Sequence, residues 1–375
     1  MIVEFEKVRE KEWNAAVIGN GVNGTIFQST HWGEYLERVF RDRPIYVASL
    51  DKKGNILGQL LAIESSYAKY TMLTSLGTRG LVLGKLYKHV ASKALGKLLP
   101  FIYWEHGPII SPHSCSEKTF EKEEIFNGIL ERIVGIAKER KCYEIKLARS
   151  AFAEGHNELF SSLGFWKRRM GTIIANIDEP LDVIWSRIDP TARKNIKKLK
   201  ERVEIVEVSQ RSQLEEFYRM HVETGERAAQ KTYPFSYFAS MWDHFSRYHM
   251  ISVFIAKLKN IPLAGSLSLI FNGTSYDFAV ADSNYQRSMK IRASDVLKWH
   301  IMEWGHERGL RQHNFAGVEL YKIDAGDEKA RGIYRFKSKF GGRLVEFGDY
   351  GKILPYRRKT VEFLNRYLSD SGVAF

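Results

Sequence analysis

The spacing of apolar residues switches between two periods along the chain, and one order of switches occurs twice. Ile45 to Ile63 reads as two β-rich runs around a Lys-Lys-Gly-Asn turn. Ser252 to Ile270 reads as the same hairpin with one residue fewer, setting Ala48 against Ala256 and Gly58 against Gly265. Further on in each half, Ile129 to Ala148 and Leu297 to Ala316 both read as an amphipathic helix followed by a short strand. Leu297, Ile301 and Trp304 fall at i, i+4 and i+7 on one face. Arg308 suits the helix dipole in the last turn, and Gly309 supplies a C-cap. Ile133 lines up with Ile301, Glu139-Arg140 with Glu307-Arg308, and Leu147 with Phe315, at one constant spacing. Two matches in the same order argue for a duplication. The expected fold is therefore α/β (α+β), two tandem units, each a mixed twisted sheet flanked by helices. The boundary is expected near Asp178-Glu179-Pro180, giving residues 1–178 and 179–375. An insert in the first half holds Gly77-Thr78-Arg79-Gly80 and Glu105-His106-Gly107-Pro108.

Composition adds bounds. Hydrophobic residues at 44% and aromatics at 13% supply enough material for two packed cores. The two cysteines, Cys115 and Cys142, argue against a disulfide framework or a zinc ribbon. His300-x-x-Glu303-x-x-His306 has the wrong spacing for H-E-x-x-H and spreads its side chains around a helix, so no metal is expected. No uncharged apolar run is long enough to span a membrane, and Met1 to Lys7 lacks a signal-peptide pattern, so a cytoplasmic protein is expected. The net charge of +13 fits a generally basic surface, or a polyanionic partner such as tRNA, a nucleotide-linked substrate or anionic lipid.

Hairpin, strand, helix, strand is the order of the GNAT acyltransferase fold, and two such units resemble the Fem family of aminoacyl-tRNA-dependent peptidyltransferases. Phe27-Gln28-Ser29-Thr30-His31-Trp32 is similar to the family's F-Q-S-x-x-W entry, and Tyr103 to Pro108 to its aromatic-then-Gly-Pro stretch. Arg193 to Lys198 is similar to R-x-x-I-(R/K)-K, and Glu223 to Arg227 to E-T-(A/G)-E-R. Gly332 to Gly341 matches G-I-Y-x-F-K-x-x-F-G. The chain departs from the family where Asn314-Phe315-Ala316-Gly317 stands for Asp-Phe-Gly-Gly, where Ile109-Ile110-Ser111 replaces an acidic residue, and around Leu36 to Arg38, which lacks the usual lysine. The resemblance implies transfer of an aminoacyl group from aminoacyl-tRNA, as co-substrate and without a cofactor, to an amine-bearing acceptor such as a peptidoglycan precursor. It further implies Lys337 as the catalytic cation, Phe336 lining the acyl or tRNA-end pocket, and Trp32 at a substrate site.

CoA-dependent GNAT enzymes carry (Q/R)-x-x-G-x-(G/A), whose glycines let backbone N–H groups approach a pyrophosphate. Gln286 to Ala293 has no glycine there; Lys290 and Arg292 offer side-chain phosphate contacts instead. Gly77 to Gly84 lacks the spacing as well. Aminolysis of an ester develops an oxyanion, which a fixed cation within hydrogen-bond reach stabilises. With the last motif read as a strand, Arg335 and Lys339 are expected to face outward or to contact tRNA. Position alone makes Asp277, Asp282 and Glu105 candidate bases and assigns none. Arg193 to Arg202 reads as a basic helix with Ile196, Leu199 and Val203 inward, leaving Arg193 and Lys197 for phosphate or tRNA. Arg227 and Lys231 are placed at an acceptor phosphate, with Tyr276 close by. A monomer is expected, with peripheral contact to an anionic membrane among its partners. An N-acyltransferase using acyl-CoA or an acyl carrier, and a non-catalytic GNAT unit binding RNA or anionic lipid, remain open alternatives.

Overall fold

The computed structural model describes residues 1–66, 99–111, 119–152, 157–230 and 232–356. They divide into two units: one holds the described residues up to Arg168 and again from Phe347, the other runs from Arg169 to Glu346. The division differs from a single cut after residue 178 in two places. Residues 169–178 go with the second unit, and the chain returns to the first after Glu346. The Gly77 and Gly84 segment, Cys115 and Lys231 lie outside the described residues; Cys142 is buried.

The first unit contains β1 (Ile2–Phe5), α1 (Glu10–Gly19), α2 (Thr30–Phe40), β2 (Arg43–Leu50), β3 (Ile56–Ser66), β4 (Pro100–Trp104), β5 (Ile109–Ile110), α3 (Thr119–Glu139), β6 (Glu144–Arg149) and α4 (Asn157–Ser162). Its sheet runs β1-β2-β3-β4-β6, with β5 on β3 and only β4–β6 parallel. Phe126, Ile129, Leu130 and Ile133 recur at helical spacing on α3 and bury against Val47, Leu60, Ala62 and Ile145. In this unit the Phe27 to Trp32 motif is held by local hydrogen bonds. Ser29 caps α2 by accepting from the Trp32 N–H. The Gln28 amide accepts from Leu61 N–H and donates to the Glu105 carbonyl.

The second unit contains most of β7 (Trp166–Asn176), then α5 (Leu181–Ser186), α6 (Pro190–Leu199), β8 (Glu204–Glu207), α7 (Leu214–Arg227), α8 (Phe235–Phe245), β9 (Ile251–Leu258), β10 (Ile261–Phe271), β11 (Thr274–Asp282), α9 (Asn284–Ser288), α10 (Ala293–Glu307), β12 (Gln312–Val318), α11 (Leu320–Asp324), α12 (Glu328–Ser338) and the start of β13 (Arg343–Ile353). Its sheet runs β7-β12-β11-β10-β9-β8. Lys259 and Asn260, both at positive φ, make the two-residue turn between β9 and β10. Val296, Leu297, Ile301 and Trp304 of α10 bury against Phe254, Ala256, Leu263 and Ala264. Gly265, one residue on, faces α7, where a Cβ would lie 2.7 Å from the Phe217 ring. Each unit is thus a mixed sheet flanked by helices.

Two readings of local structure are corrected. The basic helix ends at Leu199 rather than Arg202, because the chain tightens through Arg202 and Val203 N–H bonds to the Leu199 carbonyl and then enters β8. The Gly332 to Gly341 segment is mostly helix, not strand: Asp327 caps α12 by accepting from the N–H groups of Lys329 and Ala330.

Candidate active site

The second unit's two parallel strands begin together and then part. β11 and β12 pair only at Thr274–Gln312, Ser275–His313 and Tyr276–Asn314. β12 then slips its register against β7 between Asn314 and Gly317, and Ala316 takes a left-handed φ of 60°. The Asn314 side-chain oxygen holds this bulge, accepting from Ala316 N–H at 2.8 Å and from the Thr172 hydroxyl at 2.5 Å. The result is an opening in the sheet from Asp277 and Phe315 onward. A glycine at position 316 would be favoured physically, since φ near +60° disfavours a Cβ. Ala316→Gly is therefore expected to raise the urea unfolding free energy by about 0.5–1 kcal/mol.

The first unit keeps its corresponding strands closed. β4 and β6 remain paired as far as Trp104–Ala148, across a register shift after Ile102, and Gly107 N–H bonds to the Arg149 carbonyl. The fully buried His106 packs against the rings of Phe152 and Phe27. Burial, with the Arg149 charge nearby, depresses its pKa to about 3 and keeps it neutral.

Under the second unit's opening lies a buried polar cluster. The Lys298 ammonium (α10) donates to Asp277 Oδ2 at 2.6 Å and to the Ser266 hydroxyl at 2.9 Å. Ser266 and Ser268 both donate to Asp277 Oδ1. His313 Nε2 is 3.6 Å from Asp277 Oδ2, and its Nδ1 is 2.8 Å from the Ser275 hydroxyl. Burial pushes the Asp277 carboxyl up, but Lys298 and His313 outweigh it and hold the group well below the usual carboxylate range. Asp277 is therefore a permanent anion and a weak proton acceptor. Ser275, His313 and Asp277 stand in a row like a hydrolase triad, but Ser275 and His313 are fully buried, which denies a substrate the hydroxyl. Of the other candidate bases, Asp282 is bonded to Gln286 and Ser294, and Glu105 to Arg149.

Lys337 closes the arrangement. From the last turn of α12 its ammonium donates to the Gly317 carbonyl at 2.7 Å, on the strand that leaves the opening. Burial lowers its pKa to about 8; the Asp277 charge opposes this and the Lys298 charge adds to it. Its helical neighbours point elsewhere. Arg335 is exposed and pairs with Glu328. Lys339, expected outward, turns inward to the buried carboxylate of Asp295, because the helical period puts positions 336, 339 and 340 on one side. Asn195 of α6 donates to the same carboxylate, and the Lys339 ammonium lies 4.4 Å over the Phe336 ring. Phe336 itself packs edge-on against Phe340 at the edge of the core.

The remaining expected site residues fall in several places. Tyr276 is half-buried on β11, at the last paired position before the strands part. Arg227 ends α7 and donates to the Asn284 side chain and the Asp282 carbonyl, fastening the end of β11. Lys290 and Arg292 are exposed in the turn before α10. On α6, Arg193 is half-buried and Lys197 exposed. Trp32 is 5% exposed among Phe27 and Tyr35 in the first unit. His306 contacts the Ile177 carbonyl, and among the described residues no group of His, Cys, Asp and Glu could hold a metal. The sequence reading missed Lys298, His313 and the three serines. Their signal was Ser-Leu-Ser inside the apolar run of β10 and a lysine set among α10's buried positions.

Comparison with known proteins bears on this geometry. Residues 247–353, which include the hairpin β9–β10, the opening and Lys337, match the FemAB family model. FemX has the same fold, with a TM-score of 0.66 and 17% identity over 96% of this chain and 99% of that one. A tandem GNAT protein from the clavulanic acid biosynthesis pathway matches at 0.54, with 8% identity over 94% of this chain and 98% of that one. The C-terminal domain of a putative lysylphosphatidylglycerol synthetase from Agrobacterium fabrum matches at 0.50, with 11% identity over 95% and 97%. At these identities the likeness establishes the fold alone, a pair of GNAT-like units. No curated protein matches the chain in sequence. No helix among the described residues is long and apolar enough to cross a membrane.

Proposed function

We propose that this chain is a Fem-like aminoacyltransferase, a reading supported by the match of residues 247–353 to the FemAB family model. It moves an aminoacyl group from aminoacyl-tRNA to an amine of a cell-wall precursor or a related acceptor. The observation that carries this reading is a single one: the Lys337 ammonium is held on the Gly317 carbonyl at the parting of β11 and β12.

The chemistry asks little else of the protein. An aminoacyl ester is already activated, so orientation and charge stabilisation supply most of the rate. The acceptor amine attacks the ester carbonyl, the C=O electrons move onto oxygen, and the Lys337 ammonium donates a hydrogen bond to that oxyanion. Collapse breaks the bond to the ribose oxygen, which takes up a proton as the new amide nitrogen gives one away. With a pKa near 8, Lys337 is still charged at pH 7 and is a stronger hydrogen-bond donor than a solvated lysine. The Asp277–Lys298 pair beneath it fixes the local charge without accepting the proton.

The N-terminus of α10 speaks against acyl-CoA as donor. There the Gln286 side-chain oxygen accepts from Ser294 N–H, while its amide donates to Asp282 and the Ser294 hydroxyl. A pyrophosphate would have to displace these bonds and meet side chains where CoA enzymes have glycine. The direct test supplies a pool of labelled aminoacyl-tRNAs together with a cell extract. Label is expected to move from tRNA to an amine in an enzyme-dependent way. Label that stays on the tRNA, with transfer to the amine seen only when labelled acyl-CoA is supplied in its place, would overturn the reading.

A further inference from the structure

At the end of the open stretch of β11 the chain makes a rigid turn with an unusual outer surface. Ser283 caps α9 by accepting from Gln286 N–H. Met289 N–H bonds to the Tyr285 carbonyl, and Ile291 N–H to that of Gln286, while Lys290 at a φ of 53° reverses the chain. Gln286, 3% exposed, fastens the turn to Asp282 and Ser294, and Ile291 packs against the core. The outward residues are of two kinds. Tyr285 is 41% exposed and Met289 58%; they stand one helical turn apart and so lie side by side. Around them Arg287, Lys290 and Arg292 are exposed. Arg287 has one ion pair, to Asp282 at 3.4 Å; Lys290 and Arg292 make none among the described residues. The acidic groups nearby are engaged, Asp282 as above and Glu223 by the N–H of Asn284.

An exposed aromatic with three cations on a pinned turn suits single-stranded RNA, whose bases stack on aromatic rings while basic side chains track the phosphates. It suits a membrane poorly. Two apolar side chains and a five-residue helix offer far less buried area than an interfacial helix needs. We infer that residues 284–292 receive the single-stranded 3′ end of the donor RNA, one base stacking on Tyr285 beside Met289 and the flanking phosphates meeting Arg287, Lys290 and Arg292. The turn continues directly from the open edge of β11, so an end held there leads its terminal ester toward Lys337. This inference rests on the aminoacyl-tRNA reading and names where that donor is gripped.

The experiment measures binding of a fluorescent short single-stranded RNA ending in CCA to the full chain, alongside transfer from aminoacyl-tRNA. Tyr285→Ala should weaken RNA binding on the order of tenfold, and Tyr285→Phe should restore it, because the ring is what stacks. Lys290→Gln with Arg292→Gln should lower the slope of log affinity against log salt by about 1.4. Unchanged RNA affinity and salt slope in these variants would overturn the inference, as would variants that lose binding to phosphatidylglycerol vesicles but keep RNA. Transfer from aminoacyl-tRNA that is as fast in Tyr285→Ala as in the wild type sinks this site while leaving the proposed function standing. RNA binding that depends on Tyr285 without any transfer supports the site and sinks the function.

Discussion

Lys337→Ala is expected to fold normally and to lose aminoacyl transfer by on the order of a hundredfold or more, the usual effect of deleting one donor to a developing oxyanion. Single-turnover kinetics checks this, with circular dichroism as the folding control. The same lysine predicts the pH profile. Its pKa is lowered to about 8, so the charged form, and with it transfer, declines as pH rises through 8. Stability moves the opposite way. Between about pH 8 and the ordinary lysine value the unfolded chain binds the proton that the folded chain has released, so raising the pH through that window stabilises the fold. Below pH 8 the desolvated charge is a cost, and Lys337→Met should raise the unfolding free energy at pH 7 by about 1–2 kcal/mol, discounted for its partial exposure. A residue whose replacement strengthens the fold and abolishes activity is acting in catalysis.

The second large effect belongs to the pair beneath it. Lys298→Ala strands the Asp277 carboxylate at 5% exposure with only hydroxyls and His313 for company. A loss of about 3–5 kcal/mol is expected, measured by urea denaturation. Asp277→Asn combined with Lys298→Met removes both charges and should recover most of that loss, since a buried ion pair scarcely outweighs its own desolvation. A double variant no more stable than the single would show that the cluster's hydrogen bonds, not its charges, carry the stability.

Much of this was legible in the sequence because it repeats with a simple period. The hairpins declared themselves by alternation, and α10 by Leu297, Ile301 and Trp304. The GNAT order followed from their succession. The family's last motif brought Lys337 forward, although its strand reading was wrong: Phe336 and Phe340 suit a strand locally, and the Asp327 cap with helix formers after it outweighed them. What stayed hidden was long-range. Nothing local says that Lys298 meets Asp277, because their pairing depends on α10 lying across β9 and β10, beside β11. The return of the chain to the first unit along β13 was invisible for the same reason. The Asn-Phe-Ala-Gly departure was visible as letters, but only the bulge at Ala316 gives it a meaning.

The central claim is that Lys337 is a desolvated ammonium at the parting of two strands. Competitive labelling of amines with acetic anhydride across pH, read by mass spectrometry on the Lys337 peptide, tests it most directly. The expected result is half-maximal reactivity near pH 8, with protection when aminoacyl-tRNA is added. A Lys337 that titrates like the surface lysines of the chain, indifferent to the donor, would contradict the account.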